Sequence, residues 1–303
     1  MRVLAGVVLA LLLVITTTSA YLRLAQTGLS CPGAPDCYAQ RDARSAAGDD
    51  LGETTARALH RIAASAAGIV ILVILFVGWG AARPGERAAA IGLLGLAALL
   101  AWLGRYTPSG LPAVTLGNLL GGMAMLALAG WLVVALGRGR PVSAARTLRP
   151  WVWIALALVA LQIAAGGLIA ARHAAFACAS FPDCAGLLWP GGADLGAFDP
   201  LRGMAPPATA AERADPARQA VHLAHRWIAL PTLLLVAWVG VRAVRLGVRA
   251  PGIALVAFAL VQIALGAVQV LSGQPLGLAV AHNVVAAFLV LALAALLART
   301  RPG

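Results

Sequence analysis

The chain has 303 residues, of which 61% are hydrophobic and 11% are charged, and its formal net charge is +12. Soluble domains are about 45–50% apolar and about 25% charged, so this composition excludes a water-soluble globular protein, a disordered chain and a disulfide-stapled mini-protein. All 23 basic residues are arginines, spread over loops and helix ends. Since a nucleic-acid backbone requires a basic run or stripe, we expect the lipid bilayer as a partner and no nucleic acid.

Eight apolar stretches follow one another along the chain. Each is close to the ~20 residues that a helix needs to cross a bilayer, and the alternating pattern of a β-barrel is absent. We therefore predict an all-α membrane protein with eight transmembrane helices. The first stretch is long for a cleaved signal segment, and we expect it to be retained. The predicted helices cover residues 3–20, 58–79, 88–104, 113–136, 150–171, 224–241, 251–271 and 277–298.

An even number of helices places both termini on one side of the membrane. The termini and loops of that side contain 12 arginines and one acidic residue, Glu86. Arginine-rich short loops remain in the cytoplasm. We therefore expect a multi-pass protein of a bacterial plasma (inner) membrane, with cytoplasmic termini and two long outer loops, 21–57 and 172–223.

All four cysteines lie in these outer loops, in two similar motifs. CPGAPDC holds Cys31 and Cys37, and CASFPDC holds Cys178 and Cys184. The outer compartment is oxidising, which favours a disulfide within each loop. The alternative is a redox-active pair in the first loop.

The sequence also repeats internally. The cysteine motifs match at an offset of 147 residues, and LHRIAA, with His60, matches AHRWIA, with His225, at an offset of 165. Asn118 falls opposite Asn283 at the same offset of 165. We therefore predict two pseudo-symmetric four-helix halves that form a parallel repeat.

The predicted halves, residues 1–149 and 150–303, differ in their histidines. His282 in the second half falls opposite Gly117 in the first, so the first half offers only His60 as a ligand. The nearby glycines either leave room for a large group or permit close helix packing.

His225 and His282 are predicted at similar depths near the outer ends of two parallel helices. Imidazoles that face one another across a helix bundle suit the two axial positions of a haem iron. The alternative is that each histidine only makes hydrogen bonds between helices.

Three further side chains accompany these histidines. Arg61 and Arg226 each follow a histidine, and each would either pair with a haem propionate or extend to lipid headgroups. His222 lies one turn before His225 and faces the same side. It would contact a ligand or a propionate, or lie at the outer surface.

Taken together, these segments resemble the haem A synthase family of cytochrome oxidase assembly proteins over nearly the whole chain. The resemblance is carried by TGLSCPGAPDC (27–37), LHRIAA (59–64), RYTPSGLPAVTLGN (105–118), LQIAAGGLIAARHAAFACASFPDCAG (161–186), AHRWIA (224–229) and LVQIALGAVQVLSGQPLGLAVAHN (260–283).

The resemblance implies a b-type haem in the second half, with its iron between His225 and His282. It implies that the first half takes haem O and oxidises its C8 methyl group to the formyl group of haem A. It associates Cys31 and Cys37 with haem transfer or redox control. The implied partners are the enzyme that produces haem O and other assembly factors of cytochrome oxidase.

The first half departs from the family pattern at two positions. Where the family has a second histidine, this chain has Gly117 or Asn118, and where it has a glutamate one turn before His60, this chain has Arg57. The nearest acid is Glu53, which shares a helical face with His60 only if that helix extends outward.

Three functions are compatible with these features. The leading one is a haem A synthase in which His60 is catalytic and positions the iron of the substrate. The second is a non-catalytic haem-binding assembly or electron-transfer protein. The third is a membrane thiol–disulfide oxidoreductase that passes electrons from the cysteine loops to a quinone.

Overall fold

The computed structural model describes residues 1–29, 51–80, 82–105, 111–137, 141–207 and 209–301. Within these ranges there are eight long helices and no β-strand, and each helix is long and apolar enough to cross a membrane. This confirms the predicted fold class. The helices are α1 (Arg2–Leu24), α2 (Leu51–Gly78), α3 (Pro84–Gly104), α4 (Pro112–Ala135), α5 (Arg149–Ala171), α6 (Pro216–Arg245), α7 (Arg249–Leu271) and α8 (Leu276–Arg299).

Two helices begin well before their predicted starts. Helix α2 begins at Leu51 instead of residue 58, and α6 begins at Pro216 instead of residue 224. A hydropathy profile detects only the part of a helix that lies in the hydrocarbon core of the bilayer. Both of these helices start with polar turns, so their first residues give no such signal. Asp215 caps α6, because its carboxylate accepts a hydrogen bond from the amide of Ala217 at 3.1 Å.

The helices pack in two sets with the same neighbour relations. In the first set α1 contacts α2, α2 contacts α3, α3 contacts α4, and α4 contacts α1; helices α5 to α8 repeat this ring. Helix α4 packs against α8, and the contacts α4–α5 and α1–α8 flank this central pair. Helix α1 is thus an integral part of the bundle, and α4 and α8 are the most buried helices.

Helices α6 and α7 approach each other through two glycines. A Cβ atom on Gly252 would lie 2.6 Å from the carbonyl oxygen of Gly240, and one on Gly240 would lie 2.8 Å from the carbonyl oxygen of Gly252. Small residues at such positions allow close contact between membrane helices. The α6–α7 distance therefore depends on the absence of both side chains.

Buried arginines fix the loop that joins α5 to α6. Arg172 is fully buried and donates to backbone carbonyls of the loop. Arg218 binds the next part of the loop in the same way, and its guanidinium also lies 3.5 Å from a carboxylate oxygen of Asp215. The acceptors of Arg172 are Ala197, Asp199 and Arg202, and those of Arg218 are Arg172, Ala205 and Glu212. These bonds pair the donors of two buried guanidinium groups and attach the loop backbone to the ends of α5 and α6.

The same loop contains a disulfide between Cys178 and Cys184, as expected for the second motif. Both residues are buried, with 2% and 0% of their surface exposed. This burial disfavours thiol exchange at the second loop. Cys31 and Cys37 lie outside the described residues.

Glycine substitutions test the α6–α7 contact. Gly252→Ala should destabilise the protein by about 1–3 kcal/mol, because the new methyl group meets backbone atoms that cannot yield. Gly95→Ala is the control, since a Cβ there meets nothing within 4 Å and alanine favours a helix over glycine. Thermal unfolding in detergent, followed by tryptophan fluorescence, measures both; equal stabilities would contradict the packing argument.

Reporter fusions test the orientation expected from the arginine distribution. Green fluorescent protein fused to the C-terminus should fluoresce, and alkaline phosphatase fused there should be inactive, because the arginine distribution predicts a cytoplasmic C-terminus. The same reporters inserted after Gly191, in the outer loop, should behave in the opposite way. The reverse pattern at both sites would show that the arginine count gives the wrong orientation.

Candidate functional site

A cavity of about 280 Å³ lies beside the loop that joins α5 to α6, which contributes Phe181, Pro182 and Leu188 to its lining. Its volume is just below the ~300–1,000 Å³ range of ligand pockets. Its lining is mostly apolar and comes from α1, α4, α5, α6, α7 and α8. We call it the histidine cavity, because His225 and His282 both line it.

The two imidazoles of this cavity face one another. Their ring centroids are 6.4 Å apart, and the ring planes are inclined by 62°. An imidazole nitrogen binds a transition metal at about 2 Å, which places the centroids of two imidazoles on opposite sides of one metal ion about 6 Å apart. The spacing of His225 and His282 therefore fits the axial ligands of one iron. Because α6 begins at Pro216, about two turns before its predicted start, His225 lies in the third turn of this helix.

A glutamine lies beside each imidazole. The Gln162 amide nitrogen is 3.2 Å from both ring nitrogens of His225, and the Gln262 amide nitrogen is 3.0 Å from Nε2 of His282. An amide nitrogen only donates, so with the Gln262 amide in this orientation Nε2 of His282 accepts the hydrogen bond and Nδ1 carries the proton. The side-chain oxygens of both glutamines and Nδ1 of His282 are buried without a hydrogen-bond partner among the described residues.

These unpaired atoms support the fit to a haem iron. Buried polar atoms without a partner are rare and require an explanation. An iron bound at Nε2 of His282 would take the place of the Gln262 amide nitrogen. Nδ1 of His282 would then need an acceptor, because a metal-bound histidine typically donates its other N–H to one. The amide oxygen of Gln262 is an acceptor of this kind.

A glycine makes space for each ring. A Cβ atom on Gly166 would lie 3.1 Å from Cε1 of His225, and one on Gly266 would lie 3.3 Å from Cε1 of His282. Both glycines belong to the pattern Q-I-A-x-G, at residues 162–166 and 262–266. The sequence analysis did not single out the glutamines or these glycines, but this repetition within the second half would have identified them.

His222 and Arg226 hold the disulfide loop over the cavity. The Nδ1 atom of His222 is 3.0 Å from the carbonyl oxygen of Ala174, and its Nε2 accepts from Arg226 at 3.3 Å. Both ring nitrogens of His222 are therefore used. The Arg226 guanidinium donates to the backbone carbonyls of Cys178, Ser180, Pro182 and Asp183.

His60 lies on α2, outside the histidine cavity. Its Nδ1 is 3.3 Å from the carbonyl oxygen of Ile15 and 3.4 Å from Oγ1 of Thr18. A carbonyl only accepts, so Nδ1 carries the proton and Nε2 retains a lone pair suitable for a metal. Arg61 is exposed and does not line the cavity either.

Glu53 is part of α2, as required for it to share a face with His60. The side chain is buried, and its carboxylate pairs with Arg57 at 2.7 Å. The Glu53–Arg57 pair thus lies one to two turns before His60 in α2.

The first-half glycines permit close packing. A Cβ atom on Gly117 would lie 2.6 Å from Leu103 of α3, and one on Gly121 would lie 2.6 Å from Leu100. Leucine side chains occupy the space beside these two glycines, which is the close packing given above as one of the two alternatives.

Arg23 is a cavity residue that no motif predicted. Its position falls in the predicted loop 21–57, whereas its side chain lines the histidine cavity and donates to Oδ1 of Asn283 at 2.8 Å. No spacing in the sequence indicates this contact, because α1 and α8 are 260 residues apart at this point.

Comparison with known proteins gives a consistent result. A family model described as cytochrome oxidase assembly protein matches residues 51–294. The chain is 31% identical to the heme A synthase of Shewanella oneidensis over 310 residues, which cover 95% of this chain and 92% of that protein. It is 36% identical to the heme A synthase of Rhodospirillum centenum over 170 residues, 54% of this chain and 42% of that protein. The chain therefore belongs to the cytochrome oxidase assembly protein family, alongside these haem A synthases.

Proposed function

We propose that this chain is a haem A synthase, a multi-pass bacterial membrane oxidoreductase that converts the C8 methyl group of haem O to the formyl group of haem A for cytochrome oxidase. Family membership and the near full-length similarity to a heme A synthase support this function. The single observation that carries it is the pair of imidazoles 6.4 Å apart in a mostly apolar cavity.

In this proposal the second half, residues 150–303, is the cofactor half. His225 and His282 hold the iron of haem b from its two sides, and Gln162 and Gln262 orient their rings. A haem with two axial histidines supplies a one-electron carrier without an open coordination position.

The first half, residues 1–149, is the substrate half. The bond from His60 to the Ile15 carbonyl fixes the imidazole and leaves Nε2 to position the iron of haem O. Arg61, exposed at the same end of α2, pairs with a propionate of the substrate.

The loop between α5 and α6 covers the cofactor from the outer side. Arg226 fastens it through four backbone carbonyls, and Phe181 and Pro182 of the loop line the cavity. An apolar cover limits the access of water to the cofactor, which strengthens electrostatic interactions within the site. In this proposal Arg226 also stands at the propionate edge of haem b.

The enzyme works in the bilayer and receives haem O from the enzyme that produces it. Other assembly factors of cytochrome oxidase are the expected recipients of haem A. The cysteine loops face the outside, and Cys31 and Cys37 serve haem transfer or redox control.

One observation favours a second candidate, a non-catalytic haem-binding or electron-transfer protein. The first half has Gly117 at the position of a second histidine, and Leu103 packs against it. Such a protein would retain haem b in the second half and produce no haem A.

Substitution of the ligands tests the cofactor half. The purified protein should show the optical and electron paramagnetic resonance spectra of a low-spin haem with two histidines. His282→Ala should convert it to a high-spin form or remove the haem, because one axial ligand is lost. His60→Ala, which alters only the first half, is the matched control and should leave the low-spin spectrum in place. A low-spin spectrum that survives in both His225→Ala and His282→Ala would exclude this pair as ligands.

Haem extraction separates the two candidate functions. Cells that produce haem O and express the wild-type chain should accumulate haem A, and the purified protein should contain haem B together with haem O or A. In His60→Ala, haem A should fall by about 100-fold or more, as expected for loss of a group that acts on the reacting centre, while haem B remains. Wild-type protein that contains haem B alone and yields no haem A would instead favour the non-catalytic candidate.

A further inference from the structure

We propose that Arg23 binds a propionate carboxylate of the haem between His225 and His282, so that a helix of the first half completes the cofactor site of the second. This inference rests on the proposed function, since it requires a haem in the histidine cavity. It assigns a binding role to a residue of α1 that no motif in the sequence indicates.

The Arg23 guanidinium has few partners in the protein. Its Nη2 atom donates to Oδ1 of Asn283 at 2.8 Å, whereas Nε is buried and has no hydrogen-bond partner within the described part of the chain. Among the described residues, no carboxylate pairs with Arg23. A cation inside a membrane helix bundle is costly unless it is paired, so the charge of Arg23 calls for an anion in the cavity.

Asn283 orients this guanidinium. Its amide nitrogen donates to the carbonyl oxygen of Ala279 at 2.9 Å, which turns Oδ1 toward Arg23. Asn283 also follows His282 directly in α8. The same turn of α8 therefore contains His282, the proposed iron ligand, and Asn283, which positions Arg23.

The chemistry of the cavity selects a porphyrin carboxylate as the anion. The lining is mostly apolar, which suits the macrocycle, and the imidazole pair suits its iron. An arginine binds a carboxylate in a bidentate, charge-assisted contact. A lipid phosphate offers the same anionic chemistry, and the experiment below distinguishes the two sources.

Arg226 is the other guanidinium of the cavity, but its terminal nitrogens already donate to the disulfide loop. Arg23 has only one such bond. Of these two arginines, Arg23 therefore has the larger unused donor capacity.

The internal repeat shows that this arginine occurs in the first half and has no counterpart in the second. At the offset of 147 residues, Arg23 corresponds to Ala170 in α5, and Ala170 is buried in an apolar cluster. The contact between α1 and α8 thus carries a cation that the equivalent contact between α5 and α4 lacks. The cation belongs to the cavity that contains both histidines.

The test compares haem b with its dimethyl ester, in which both propionates are blocked. The full-length protein in detergent is loaded with either porphyrin, and the rate of release to excess apomyoglobin is measured. The variants are Arg23→Gln and Arg23→Lys. Arg242→Gln is the control, because it removes an exposed arginine of α6 far along the helix from His225.

Arg23→Gln should release haem b at least about ten-fold faster than the wild type, the effect expected for loss of a charge-assisted hydrogen bond. It should release the dimethyl ester at the wild-type rate. Arg23→Lys should restore part of the retention, and Arg242→Gln should match the wild type with both porphyrins.

Two outcomes would overturn the inference while leaving the proposed haem site intact. Equal acceleration with haem b and the ester would indicate a purely structural role or binding of a lipid phosphate, and unchanged release of haem b would exclude the contact. Wild-type protein that binds neither porphyrin with a low-spin spectrum would instead refute the proposed cofactor site, and this inference with it.

Discussion

Packing between α4 and α8 joins the two four-helix sets, and the position of the histidine cavity follows from it. Gly130 of α4 permits this contact, because a Cβ atom there would lie 2.6 Å from Cδ2 of Leu291 in α8. In lipid, helices gain little from burying apolar surface, so close van der Waals contact must hold them together. The α4–α8 pair also brings α1 against α8. Asn283 can therefore meet Arg23, although these residues belong to different sets.

The loop between α5 and α6 is held by a different interaction, in which arginines donate to backbone carbonyls. Arg172, Arg218 and Arg226 together satisfy carbonyls along most of the loop between α5 and α6. A planar guanidinium with five donors can bind several carbonyls at once, which explains how a loop with few regular elements is held closely over an apolar cavity. The chain contains no lysine, and an ammonium group would not span these acceptors in the same way.

The number and order of the helices could be predicted from the sequence, because hydropathy reports directly which segments can cross a bilayer. The parallel direction of the sixth and eighth helices also predicted that His225 and His282 would lie at similar depth, and the structure brings them together. The starts of α2 and α6 were predicted too late, because their polar first turns carry no hydropathy signal. Arg23 could not be found in this way, since its role depends on a contact between the first and last helices. Gln162 and Gln262 could have been found from their repeated motif.

The contact between α1 and α8 has a consequence for biosynthesis. The histidine cavity has walls from both α1 and α8, so it does not exist before α8 has been inserted. A nascent chain that has inserted only α1 to α7 lacks His282 and one side of the cavity. Binding of a ligand in this cavity must therefore follow insertion of α8, and α1 must remain available for α8 until then.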